Sequence, residues 1–138
     1  MLRVVVDPGV LVSAVISPTG PPAEILDRWR DGEFDIVVSP KVLGELERVL
    51  MRPKFHDLAD EDEVRTYSDA LAREAVLVLD PEEVAPVTDD PADDYLVALA
   101  VSVGADAIVS GDKHLTGLPN PPVPVLTPRE LLRRLVRT

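Results

Sequence analysis

Five carboxylates in this 138-residue sequence fall where they could share one cation: Asp7, Glu45, Asp93, Asp94 and Asp112. Asp7 directly follows the β-branched run Val4-Val5-Val6, and Asp112 follows Ala107-Ile108-Val109-Ser110-Gly111. Glu45 lies about one and a half turns into the helical pattern that begins after Ile36-Val37-Val38. Asp93 and Asp94 open the helical pattern that leads towards Asp112. Acids gathered within a few ångströms raise one another's pKa, and a cation relieves that repulsion. A set of oxygen donors without Cys or His selects a hard ion, Mg²⁺ or Mn²⁺. Such an ion lowers the pKa of a bound water and stabilises charge on a phosphodiester, so the chemistry implied is metal-assisted hydrolysis.

Each of these acids also has a purely structural reading. Asp7 before Pro8 is a helix N-cap, and Asp93 and Asp94 complement the positive end of a helix macrodipole. Glu45 can pair with Lys41 and Arg48 along an exposed helical stripe. Asp112 fits a Gly-Asp turn.

The elements that would position these residues are legible as short strands alternating with helices. Val4–Val6, Ile36–Val38, Val76–Leu79, Ala107–Ser110 and Val123–Leu126 are apolar runs that stop at turn residues. Helical patterns fall at Leu11–Ile16, Ala23–Arg30, Val42–Met51, Glu63–Ala75, Tyr95–Val103 and Glu130–Val136. The alternation predicts an α/β fold with a parallel five-stranded sheet covered on both faces. In such sheets ligands bind at the carboxyl ends of the strands, which brings Asp7 and Asp112 to one edge. The 14 prolines suit this fold because Pro8, Pro22, Pro40, Pro91 and Pro128 fit first helical positions, where no hydrogen bond is lost. Thr127 with Glu130 forms a capping box, and Pro119, Pro121, Pro122 and Pro124 read as a stiff loop into an edge strand.

Composition narrows the function classes. The net charge of −11 disfavours a protein that coats duplex nucleic acid through a broad basic face. Residues 57–94 carry 14 acids against Arg65 and Arg73, a local charge of −12, so the rest of the chain sums to +1. The absence of Cys excludes disulfides, thiolate catalysis and Cys-type zinc sites, and His56 and His114 leave little for a His-based one. An acid at position 7 and the lack of any apolar run near the ~18 residues of a membrane span predict a cytoplasmic protein without a membrane segment. The length predicts one domain over 1–138.

Several blocks together resemble the PIN-domain family of metal-dependent ribonucleases, which includes the VapC-like toxins of toxin–antitoxin pairs. They are Val4-Val5-Val6-Asp7, Val38-Ser39-Pro40 leading to Gly44-Glu45-Leu46, and Val49-Leu50-Met51-Arg52-Pro53-Lys54-Phe55. The most specific are Asp90-Pro91-Ala92-Asp93-Asp94-Tyr95-Leu96 and Gly104-Ala105-Asp106-Ala107-Ile108-Val109-Ser110-Gly111-Asp112. The resemblance implies a three-layer α/β/α sandwich whose catalytic, metal-holding acids are Asp7, Glu45, Asp94 and Asp112. Asp93 would be auxiliary, and Ser110 would orient an acid or a water. The implied activity is Mg²⁺- or Mn²⁺-dependent cleavage of single-stranded RNA, with an antitoxin and a second copy of the chain as partners. One departure stands out: the family's usual Asp-Thr-Asn or Asp-Ser-Asn is Asp7-Pro8-Gly9 here, which removes a hydroxyl and an amide beside the first acid. A catalytically weakened scaffold that binds a protein or RNA is therefore the alternative. A phosphoacceptor domain is a third reading, opposed by Ser39-Pro40 where the middle strand would need its acceptor Asp.

Basic side chains for phosphate contacts are Lys41, Arg48 and Arg52 on one stripe, with Lys54 and Lys113 beside it. His114 reads as a surface residue that could stack on a base, and Trp29, Phe34 and Phe55 as core or interface. The acidic helix predicted after Glu61 would repel RNA and could meet a basic partner.

Overall fold

The computed structural model describes residues 1–136. Five strands, β1 (Arg3–Val6), β2 (Asp35–Val38), β3 (Val76–Leu77), β4 (Ala107–Val109) and β5 (Val125–Leu126), pair in the order β3-β2-β1-β4-β5. Every pairing is parallel. The helices are α1 (Pro8–Ile16), α2 (Pro21–Arg30), α3 (Pro40–Leu50), α4 (Glu61–Glu74), α5 (Pro91–Val103), α6 (Lys113–Thr116) and α7 (Pro128–Val136). Because right-handed crossovers that step in opposite directions put their helices on opposite faces, α1–α4 and α5 cover the two sides of the sheet. The expected α/β/α sandwich is thus the observed one.

The central strands are continuous apolar runs because both of their faces are covered. Val4, Val5, Val6, Ile36, Val37, Val38, Ala107, Ile108 and Val109 are all fully buried. Each large side chain among them contributes roughly 1.5–3 kcal/mol of transfer free energy. Trp29 and Phe34 are buried in this core, and Phe55 packs against it, as their apolar character required. The edge strands β3 and β5 are only two residues long, which limits exposed pairing groups.

Proline punctuation places the helix starts. Pro8, Pro40, Pro91 and Pro128 are first helical residues, while α2 begins at Pro21 and so puts Pro22 one place further in. Asp7, Ser39 and Asp90 cap α1, α3 and α5 by accepting the amides of Gly9, Val42 and Ala92. The Thr127–Glu130 capping box is closed in both directions, at 3.0 and 3.1 Å. Gly104 ends α5 in the left-handed region at φ 63°, where a side chain would be strained. Two short elements escaped the sequence pattern: α6 and the 3₁₀ turn Pro53–Phe55. Neither is long enough to show a helical period. Among the described residues, no helix is long and apolar enough to cross a membrane.

The strand order also locates a crevice. The chain leaves β1 towards β2 and leaves β4 towards β5, in opposite directions across the sheet. The switch point therefore lies between β1 and β4, at their carboxyl ends.

Candidate active site

Asp7 and Asp112 flank this switch point. The Asp7 amide donates to the Val109 carbonyl at 2.9 Å, which fixes the end of β1 against the end of β4. Ser110, fully buried, joins the two acids: its hydroxyl donates to Asp7 Oδ2 at 2.8 Å and accepts the Asp112 amide at 3.0 Å. Asp7 Oδ1 accepts the Gly9 amide at 3.0 Å, and Asp112 Oδ1 accepts the His114 amide at 2.8 Å. The Pro8-Gly9 departure therefore leaves Asp7 with two donors, one of them supplied by Gly9 itself. The capping and turn readings of Asp7 and Asp112 hold too, because one carboxylate oxygen caps while the side chain stays at the crevice.

Asp93 and Asp94 part company. Asp93 is 5% exposed, and its Oδ2 has no hydrogen-bond partner. Burial first, and then the charges of Asp112, Asp90 and Asp7, push its carboxyl up to about 6. Asp94 instead turns to the segment before the helix, where its Oδ1 accepts the Val87 amide at 3.0 Å and the Thr88 amide at 2.7 Å. Thr88 foremost, and Val87 with it, hold the Asp94 carboxyl below the usual carboxylate range. In this structure Asp93 feels the charges of Asp7 and Asp112, and Asp94 buttresses residues 87–88. Adjacent helical residues point about 100° apart, so only one of the pair can face the crevice. No sequence signal separates the two, since the residues in phase with each, Leu96, Val97 and Ala100 for Asp93 and Val97, Ala98 and Val101 for Asp94, are all apolar.

Glu45 reaches the same crevice from α3. Asp7, Gly9, Lys41, Glu45, Asp93 and Tyr95 line a cleft of about 340 Å³. Arg48 grips both Glu45 oxygens, at 2.6 and 3.0 Å, and is the main reason its carboxyl lies below the usual range. Both partners are roughly half exposed, so the pair holds by ~1 kcal/mol at most. Releasing Glu45 is accordingly cheap, and Arg48→Ala should lower the Mn²⁺ concentration that gives half-maximal thermal stabilisation about two- to five-fold. The shift should shrink at high salt, and an unchanged midpoint in a melting titration would show that Glu45 plays no part in binding the ion.

Of the basic residues singled out in the sequence, Lys41 lines this cleft. The Lys41 ammonium sits 4.5 Å from the Tyr95 ring centroid. The Tyr95 hydroxyl bonds Asp80 and lies 2.6 Å from the Ser39 hydroxyl, so Lys41 is backed by a fixed polar network. Arg52 lies just beyond the end of α3 yet adds its charge at Glu45. Lys54 lies over the Phe55 ring, and Lys113 opens α6. The network through Asp80 and Tyr95 carried no recognisable sequence signal, because its members are far apart in the chain.

The donor set suits a hard divalent cation: an unpartnered buried carboxylate oxygen at Asp93, and a carboxyl raised by burial and by the neighbouring carboxylates of Asp112, Asp90 and Asp7. Among the described residues, no three carboxylate or imidazole groups already converge closely enough to hold an ion. The acids are gathered but not closed.

Known proteins share this architecture. A relative of unassigned function from Methanocaldococcus jannaschii is 30% identical over 118 residues, covering 85% of this chain and 75% of its own. VapBC2 from Rickettsia felis, solved with a fragment of promoter DNA, superposes with a TM-score of 0.66 at 12% identity, over 91% of this chain and 98% of that one. A Pyrobaculum aerophilum protein gives 0.67 at 16% identity, over 100% and 91%, and FitAcB from Neisseria gonorrhoeae gives 0.60 at 16%, over 91% and 98%. The family model for the PIN domain matches residues 3–114, a span that runs from the first residue of β1 to the imidazole beside Asp112, and the chain belongs to that family.

Proposed function

We propose that the protein is a Mg²⁺- or Mn²⁺-dependent endoribonuclease acting on single-stranded RNA, the toxin of a toxin–antitoxin pair. The observation that carries this reading is the buried Asp93 carboxylate, unpartnered and crowded by Asp7 and Asp112 at the switch point of a PIN-domain sheet. PIN domains are typically nucleases, and the donor set here fits the divalent ion such chemistry uses. Asp7, Asp93 and Asp112 would hold the ion, with Glu45 as a fourth ligand once Arg48 lets go. When bound, the ion would activate a water and offset charge on the phosphodiester.

The chain's own groups have separate tasks. Ser110 holds the Asp7 carboxylate in one orientation and so keeps one ligand preorganised. Lys41, backed by Tyr95, is the phosphate contact inside the cleft. Arg48, Arg52, Lys54 and Lys113 supply weaker attraction around it. The acidic helix α4 turns RNA towards this side and leaves its own face to a basic partner, the role we assign to an antitoxin. A second copy of the chain is the other expected partner, and cytoplasmic residence follows from the same reading.

A scaffold that binds without cutting has one observation in its favour, that no three acids converge as they stand. One assay separates the two. Purified protein should cut a labelled single-stranded RNA mixture with Mn²⁺ or Mg²⁺, should stop in EDTA, and should lose at least about 100-fold in Asp112→Asn. RNA binding that survives Asp112→Asn, with no cutting under either metal, would make the scaffold the better account.

A further inference from the structure

Asp93 lines a second cleft, of about 720 Å³, which Asp7 and Glu45 do not line. Its volume is within the ~300–1,000 Å³ of small-molecule pockets. One wall is the segment 86–91 and the other carries His114 and Leu118. The segment is held in place: Asp94 clamps the Val87 and Thr88 amides, and the Thr88 hydroxyl accepts the Asp90 amide at 3.0 Å. Pro86, Val87, Pro91 and Leu118 give the cleft apolar surface.

The polar groups of this cleft are nearly all acceptors. Asp89, Asp90 and Asp93 line it, and no Lys or Arg does. Asp90 Oδ1 is engaged by the Ala92 amide, and Asp93 Oδ2 is buried without a partner. Asp89 makes no hydrogen bond or ion pair among the described residues. The two clefts that meet at Asp93 therefore differ in kind: one offers Lys41 to a phosphate, and the other would repel a phosphate. A single strand passing Asp93 would lay its backbone on the Lys41 side and turn a base into the acidic side. Single-stranded bases are read on their Watson–Crick edges and stacked on rings such as His. Guanine alone presents two adjacent donors, N1–H and N2–H₂, to one carboxylate, whereas the uracil edge sets acceptors on both sides of its N3–H.

We infer that the cleft between residues 86–91 and His114 is a nucleobase pocket selective for guanine, with Asp89 accepting from the guanine edge and His114 stacking on the ring. Its position beside the cleaved phosphate rests on the nuclease reading; guanine recognition itself does not. The test is therefore binding without cleavage, by saturation-transfer NMR of guanosine, adenosine, cytidine and uridine with the intact metal-free protein in EDTA. Guanosine should bind at a concentration roughly ten-fold or more below the other three, the range expected for one bidentate contact. Asp89→Asn and His114→Ala should each remove the preference while keeping the Mn²⁺-induced rise in melting temperature, which reports an intact fold and ion site. Equal or absent binding of the four nucleosides, or a guanosine preference unchanged in both variants, overturns the pocket. Cleavage mapping then separates the two ideas. A protein that binds guanosine and never cuts has lost the nuclease reading and kept the pocket, and one that cuts without regard to guanine has lost the pocket alone.

Discussion

Asp93→Asn is expected to abolish metal-dependent RNA cleavage, by at least about 100-fold, while its neighbour Asp94→Asn stays within a few-fold of the parent. The contrast follows from where the two carboxylates go. Asp93 is buried with an unpartnered oxygen near Asp7 and Asp112, and replacing it removes a charge from beside both acids. Asp94 accepts two backbone amides, and an Asn oxygen can accept them still. The complementary change is Asp94→Ala, which removes the acceptor of the Val87 and Thr88 amides and should lower the melting temperature. Rate assays at saturating Mn²⁺, read beside thermal melts, check both halves. Equal loss of activity in Asp93→Asn and Asp94→Asn would return the ligand role to the helix start as a whole and sink the assignment to one side chain.

Stability should respond to the same residue with the opposite sign. The metal-free fold raises the Asp93 carboxyl from 3.8 to about 6, so between those values the folded protein binds a proton that the unfolded chain has lost. Stability therefore declines as pH rises from about 4 to 6 and then levels off. With the shift discounted for water in the open cleft, the loss is about 1 kcal/mol. In EDTA at pH 7.5, Asp93→Asn should melt a few degrees above the parent, and at pH 4 the two should coincide. Saturating Mn²⁺ should reverse the order, because an ion that binds only the folded parent adds ~2.7 kcal/mol at a hundred times its dissociation constant. Melts at the two pH values, with and without Mn²⁺, decide it. A parent that outlasts Asp93→Asn in EDTA at pH 7.5 would mean that burial and the neighbouring acids do not penalise the Asp93 charge as described.

The fold was readable in the sequence because burial on both faces demands continuous apolar strands, and Val4–Val6, Ile36–Val38 and Ala107–Val109 have no other use. Prolines after Asp7, Ser39 and Asp90 marked helix starts to within a residue or two. The edge strands came out shorter than their apolar runs: the ladders end at Leu77 and begin at Val125, with the Val78 amide giving one last bond to the Val38 carbonyl. The acids at the strand ends were equally readable, as topology alone carries Asp7 and Asp112 to one crevice. The choice between Asp93 and Asp94 was not, because two adjacent acids share every local signal and differ only in helical phase. Spacing did offer Arg48 as a partner for Glu45, and the pair forms, but it could not reveal that Asp80, fifteen residues from Tyr95, would support the ring beneath Lys41.

The first strand of the chain is the middle strand of the sheet, and this bears on how the protein is made. Val4 pairs with Ala107, and Asp7 bonds through its amide to Val109, so one strand waits for a partner synthesised about a hundred residues later. At about 5–20 residues per second, roughly 5–20 seconds separate the synthesis of Asp7 from that of Asp112. A nascent chain in that interval holds its acids on unconnected pieces, with no β4 to seat Ser110 against Asp7. If the nuclease reading holds, the ribosome carries a harmless fragment until the fourth strand docks, and the cell gains that interval before the activity exists.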